Sequence, residues 1–110
     1  MLNMNIEYNK GVLFVRLIGK LDRSSSYKIN KYLIPVILKQ KIKYLVYNLD
    51  HLESLDEDGK DALLNTEYAI KTNKGKLYLS DVQSNIIKQI NKMHLKQIDH
   101  EEESFSLMEA

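Results

Sequence analysis

Residues Tyr44 to Leu64 read Tyr-Leu-Val-Tyr-Asn-Leu-Asp-His-Leu-Glu-Ser-Leu-Asp-Glu-Asp-Gly-Lys-Asp-Ala-Leu-Leu, and no other stretch constrains the fold as tightly. The segment opens as an apolar, strand-like run and passes through an acidic turn at Asp56-Glu57-Asp58-Gly59. It then enters an amphipathic pattern with Leu63, Thr66 and Ile70 on one stripe and Ala62 and Ala69 beside them. A strand that turns directly into a helix leaves the first N–H groups of the helix unpaired, with several carboxylates beside them. Such a unit needs a sheet to join and a layer of helices to pack against.

The rest of the chain supplies both. Asn5 to Tyr8 reads as a short strand, turning at Asn9-Lys10-Gly11, where glycine can supply a positive φ. Val12 to Ile18 is nearly continuous in apolar and β-branched residues, as expected of a strand covered on both faces, and Gly19-Lys20-Leu21-Asp22 ends it. Ser24, Ser25 or Ser26 can cap a helix whose apolar positions are Ile29, Tyr32, Leu33, Val36 and Ile37. Pro35 lacks an N–H and clashes with the carbonyl of Lys31, so it should kink or split that helix. Tyr44 to Leu49 is a second central strand. The following helix should leave through Asn73-Lys74-Gly75, with Gly75 as the left-handed cap residue.

Leu77-Tyr78-Leu79 is a short strand. Ser84 is placed to cap a helix carrying Ile86, Ile87, Ile90 and Met93, and Leu95 to Ile98 would form a last edge strand. Asp99 and Glu102 have capping-pair spacing ahead of a final helix with Phe105 and Met108. The expected fold class is α/β: one mixed β-sheet with helices packed against it, in the order β-β-α-β-α-β-α-β-α, as a single domain over residues 1–110.

Composition narrows function mainly by exclusion. The chain has no Cys, which removes thiolate chemistry, a disulfide framework and a cysteine zinc site, and fits a reducing interior. No apolar run approaches a membrane span, and Met1 to Glu7 lacks a basic region followed by an apolar stretch. A cytoplasmic location without membrane contact is expected. The net charge of +1 implies no general attraction to nucleic acid. The acids are unevenly placed: Asp50, Glu53, Asp56, Glu57, Asp58 and Asp61 crowd what reads as one loop, and Asp99, Glu101, Glu102, Glu103 and Glu109 crowd the tail.

Several chemistries fail on pattern. Aligned on Gly59, a calcium loop would need an apolar residue at Asp61 and a bidentate Glu at Asn65, and a helix rather than a strand before it, so no metal is expected. A receiver-type phosphoacceptor at Asp50 lacks an acidic pair after the first strand. His51, His94 and His100 stand singly and there is no Gly-x-Ser-x-Gly, so serine hydrolase chemistry has no support, and no cofactor is expected. Asp56, Asp58 and Asp22 also have a plain structural reading as helix caps.

Three fragments carry a family resemblance over about Asn5 to Leu107: Leu17-Ile18-Gly19-Lys20-Leu21-Asp22, Leu45-Val46-Tyr47-Asn48-Leu49 and Leu55-Asp56-Glu57-Asp58-Gly59. Together they resemble STAS domains, and among them the bacterial anti-sigma factor antagonists. That resemblance implies the STAS fold and a non-enzymatic, protein-binding role in transcription regulation. The partner would be an anti-sigma factor of histidine-kinase-like ATPase fold, docked around Asp22, Ser24, Asp56, Glu57, Asp58 and Gly59. It also implies a phosphorylated serine immediately before the glycine. Here that position is Asp58, a degenerate phosphoacceptor site; the preceding serine slot is Glu57, and the usually apolar residue after the glycine is Lys60. Ser54, four residues upstream, reads as a loop residue or a cap. A degenerate scaffold that assembles with other STAS proteins, or a phosphate- or nucleotide-sensing domain, is the alternative.

Overall fold

The computed structural model describes residues 1–108; Glu109 of the acidic tail lies outside them. Five strands form one sheet in the order β1-β2-β3-β4-β5. β1 (Leu2–Asn9) and β2 (Val12–Leu21) make an antiparallel hairpin, and β3 (Tyr44–Leu55), β4 (Lys76–Ser80) and β5 (Gln97–Ile98) each add in parallel. The hairpin turn takes positive φ at both central residues, Lys10 (50°) and Gly11 (87°), which matches the right-handed strand twist. Each parallel step requires a crossover: α1 (Ile34–Lys39) lies between β2 and β3, α2 (Glu57–Thr72) between β3 and β4, and α3 (Ile87–Asn91) between β4 and β5. A 3₁₀ turn (Glu101–Glu103) and α4 (Ser104–Leu107) finish the described chain. The element order is the expected one. No described helix is long and apolar enough to cross a membrane.

Alternation along the strands sorts side chains to two faces. Leu13, Val15 and Leu17 of β2, Leu45, Tyr47 and Leu49 of β3, and Leu77 and Leu79 of β4 face the helix layer, where they meet Ile29, Ile37, Leu63, Ile70 and Ile90. Val12, Phe14, Val46 and Tyr78 face the other way and are covered by Phe105 and Met108. Both faces of β2 and β3 are thus covered, as their uninterrupted apolar runs require. The rings of Phe14 and Phe105 meet edge-on at 5.5 Å.

Several local expectations need correction. β3 continues through Leu55 instead of ending at Leu49, because two register shifts against β2 each insert an extra residue into β3. The shifts turn Leu49, Leu52 and Leu55 to the core at a spacing of three rather than two. Asp50, Glu53 and Ser54 are therefore exposed strand residues, not members of a loop, and Ser54 pairs in register with Lys20. The expected split at Pro35 is present, with Pro35 in the first turn of α1, where its missing N–H is tolerated. A π-helical segment (Lys28–Leu33) precedes α1, and the Ile34 N–H bonds to the carbonyl of Ile29, so the wider turn accommodates the missing proline donor.

The left-handed residue after α2 is Lys74 (φ 63°), not Gly75. Gly75 answers a different demand: a Cβ there would lie 1.8 Å from the carbonyl oxygen of Lys43. Ser84 makes no cap for α3, which begins after Ile86. The capping pair near the C-terminus falls one residue later than expected, with the Glu103 carboxylate accepting the His100 N–H at 3.1 Å.

Candidate functional site

The acidic turn forms where the bulged end of β3 meets α2. Leu55 is buried, and Asp56 is extended (φ −103°, ψ −172°), which sets it as N-cap. Its Oδ1 accepts the N–H of Gly59 at 2.8 Å, satisfying one of the otherwise unpaired first-turn donors. Its Oδ2 accepts the N–H of Arg23 at 3.0 Å, and its own N–H reaches the Leu21 carbonyl at 3.4 Å. One carboxylate thus joins two chain segments that lie far apart in sequence. The close approach requires Gly59, since a Cβ there would fall 2.3 Å from the Leu21 oxygen and 2.9 Å from Leu55 Cδ1.

The facing loop is ordered by Asp22. Its Oδ1 accepts the Ser24 N–H at 3.0 Å and the Ser24 hydroxyl at 2.8 Å. The Ser24 hydroxyl, helped by the Ser24 N–H and by Ser25, holds the Asp22 carboxyl below the ordinary carboxylate range. Ser25 is buried: its Oγ accepts the Asp22 N–H at 2.9 Å and donates to the Lys20 carbonyl at 2.8 Å. Asp22 is therefore the residue that starts this turn, while Ser25 latches it and Ser24 hydrogen-bonds back to Asp22. None of the three serines acts as the cap expected of it.

Of the site residues expected from the sequence, Asp22, Ser24, Asp56, Glu57, Asp58 and Gly59 come together at this junction, and all but Gly59 leave their side chains at or near the surface. The three acids of the turn have different circumstances. Asp56 is engaged by two backbone donors, and Glu57 pairs with Lys60 one turn on. Asp58 is exposed and makes no hydrogen bond or ion pair with any described residue. Arg23, absent from the expected site, contributes the backbone N–H that ties the loop to Asp56; a tertiary bond of this kind leaves no trace in residue spacing. Among the described residues no group of three or more His, Asp or Glu side chains is arranged to hold a metal ion.

Chemically, the junction is a firm platform that presents the Asp58 carboxylate, without a described intramolecular partner, at a positive helix end.

Comparison with known proteins gives the family and the fold. Residues 3–106 match the STAS domain family. An anti-sigma F factor antagonist from Paenibacillus polymyxa is 28% identical over 81 residues, spanning 74% of this chain and 69% of that protein. Among solved structures, the Bacillus cell fate determinant SpoIIAA in its phosphorylated form superposes with a TM-score of 0.77 at 20% identity, covering 97% of this chain and 100% of that one. An anti-sigma factor antagonist from Mycobacterium paratuberculosis gives 0.77 at 15% identity, covering 97% and 93%. With the family match covering nearly the whole described chain and the fold shared, this protein belongs to the STAS domain family.

Proposed function

We propose that this domain binds an anti-sigma factor, one of histidine-kinase-like ATPase fold, through the surface around Asp22, Ser24, Asp56, Glu57, Asp58 and Gly59. In this reading Asp58 stands permanently where a phosphorylatable serine would stand, and it makes a direct contact with a cationic group of the partner. The observation that carries the reading is the state of the Asp58 carboxylate. It is exposed on the first turn of α2 and has no described intramolecular partner, while its neighbours Asp56 and Glu57 are engaged within the domain. The antagonist role of the Paenibacillus relative supports the choice of partner class.

A carboxylate carries one negative charge and two oxygens, against about −1.5 to −2 and three acceptor oxygens for a phosphoserine. In this reading a Lys or Arg of the partner lies opposite Asp58, and no phosphorylation at that position regulates the complex. The test is titration of wild type and Asp58→Ser against a purified kinase-type anti-sigma factor encoded beside this chain, at low and high salt. The substitution should weaken binding a few-fold, since an exposed charge contact is worth about 1 kcal/mol, and should reduce the salt dependence. Tighter binding by Asp58→Ser would mean that the carboxylate imitates phosphoserine and opposes the complex. Equal affinities at both salt concentrations would make Asp58 a bystander and overturn the reading.

A further inference from the structure

The sheet has two edges, and they are unlike. β5 contributes only two residues, Gln97–Ile98, a short edge that offers little to pair with. β1 runs for eight residues against β2 with uninterrupted register, from Leu2 opposite Gly19 to Asn9 opposite Val12. It contains no Pro, no Lys and no bulge, the usual devices that keep an edge from pairing.

Its backbone phase can be read directly. The Lys20 N–H donates to the Met1 carbonyl, and paired residues of an antiparallel ladder alternate, so the odd-numbered residues of β1 turn their polar groups toward β2. The even-numbered residues turn theirs outward. At Leu2 the outward carbonyl is already taken by the Lys28 ammonium. Met4, Ile6 and Tyr8 remain, a set symmetric about Ile6.

The side chains of the same three residues lie on the helix side, and the exposure there is unusual. Ile6 is 49% and Tyr8 62% exposed, and across two shallow apolar grooves they face Tyr32 at 63% and Val36 at 48%. On the opposite side, Arg16 donates from Nη1 to Asn5 Oδ1 at 2.9 Å and from Nη2 to Glu7 Oε1 at 3.0 Å. These bonds fix the Asn5 amide with its NH₂ group unused and leave the second Glu7 oxygen open.

We propose that β1 is a self-association edge, along which two copies of this chain pair antiparallel about a two-fold axis at Ile6. In that register Ile6 meets Ile6, Met4 meets Tyr8, and Asn5 lies directly opposite Glu7 of the second copy, twice by symmetry. The unused Asn5 NH₂ then donates to the open Glu7 oxygen at both places, so the only formal charge on the strand meets a donor. Shifting the axis to Glu7 would set like charges opposite each other, and shifting it to Asn5 would require the Leu2 carbonyl that Lys28 holds. Pairing joins the two sheets into one of ten strands and covers the apolar grooves. The Asp56–Gly59 turn takes no part in it, so the proposal stands apart from the reading of Asp58.

Sedimentation velocity across low-micromolar to near-millimolar protein tests it. Wild type should move from 12.9 kDa toward twice that mass. Ile6→Lys, which opposes two ammonium groups on the axis at a position exposed in the monomer, should stay monomeric with an unchanged circular dichroism spectrum. The chain has no Cys, so single-cysteine variants report the register. Ile6→Cys should cross-link with a short bis-maleimide. Asn3→Cys should not, because at about 3.4 Å per residue the two Asn3 positions lie roughly 20 Å apart. A wild type monomeric throughout, a dimer indifferent to Ile6→Lys, or cross-linking at Asn3 equal to that at Ile6 would each overturn the proposal.

Discussion

Replacing Asp56 tests the construction of the site, because its two carboxylate oxygens have separate duties. Oδ1 caps α2 through Gly59, and Oδ2 holds the Arg23 loop. Asp56→Ala removes both. Loss of an N-cap costs about 1 kcal/mol. The Arg23 bond has a charged acceptor, but its exposure to water reduces it to about 0.5–1 kcal/mol. The sum, about 1.5–2 kcal/mol, should lower the melting temperature by about 6–9 °C in a domain of this size. Asp56→Asn separates the duties. Its single carbonyl oxygen can keep the cap, at which Asn equals Asp, but its NH₂ group would face the Arg23 N–H, donor against donor. It should lose only about 0.5–1 kcal/mol. Urea unfolding followed by circular dichroism gives the totals, and amide hydrogen exchange assigns them. Asp56→Ala should speed exchange at both Gly59 and Arg23, and Asp56→Asn at Arg23 alone. Equal destabilisation by Ala and Asn, or undiminished protection of Arg23 in the Asn variant, would refute the two-duty account.

Three further outcomes follow from other parts of the fold. Gly59→Ala places a methyl group against the Leu21 carbonyl, and even after the better helix propensity of Ala it should cost about 1–2 kcal/mol by chemical denaturation; a neutral result would show that the β2 end can shift. The buried Tyr47 hydroxyl meets Thr66 Oγ1 at 2.7 Å, and Thr66 in turn donates to the Ala62 carbonyl. Thr66→Val should therefore cost about 1–3 kcal/mol, and less when made in a Tyr47→Phe background that removes the stranded hydroxyl; additive losses would deny the coupling. Glu101 receives Arg16 Nε at 3.0 Å and Asn48 Nδ2 at 2.7 Å, and Arg16 foremost holds its carboxyl below the ordinary range against the opposing effect of burial. A lowered folded-state pKa means that this stabilisation is complete above the ordinary Glu value and is lost as pH falls through the lowered one. Glu101→Gln should flatten that acid limb of the stability profile; an unchanged limb would place the acid sensitivity elsewhere.

What the sequence discloses is what short-range pattern controls. The β2 and β3 runs, the stripe of α2 and the Lys10-Gly11 turn each carry their cause within a few residues, and each lies where its pattern puts it. The second half of β3 was hidden because a bulged strand breaks the period of two. Leu49, Leu52 and Leu55 recur every third residue, which fits neither an alternating strand nor a helix stripe. That spacing was the available signal, and it makes a loop of Asp50, Glu53 and Ser54 when read without bulges. Pro35 is accommodated by a π turn whose need arises only from the residues around it. The demand on Gly75 comes from Lys43, and that on Gly59 from Leu21, neighbours supplied by the tertiary fold alone.

The same distinction explains how the acidic turn can serve folding and, in the proposed reading, recognition as well. A run of three acids in sequence looks like one electrostatic feature, and charge alone gives no reason to divide it. The geometry divides it: Asp56 is engaged by two backbone donors, Glu57 pairs along the helix with Lys60, and Asp58 faces solvent. Because Asp56 and Gly59 fix the backbone, the position between them can change its side chain at small cost to stability. An exposed first-turn carboxylate contributes only about 0.3–1 kcal/mol through the helix dipole. A residue in that setting is free to be serine or aspartate as binding requires, with the fold indifferent to the choice. The platform therefore accounts for how this chain can carry an acid at Asp58 and still keep the STAS architecture around it.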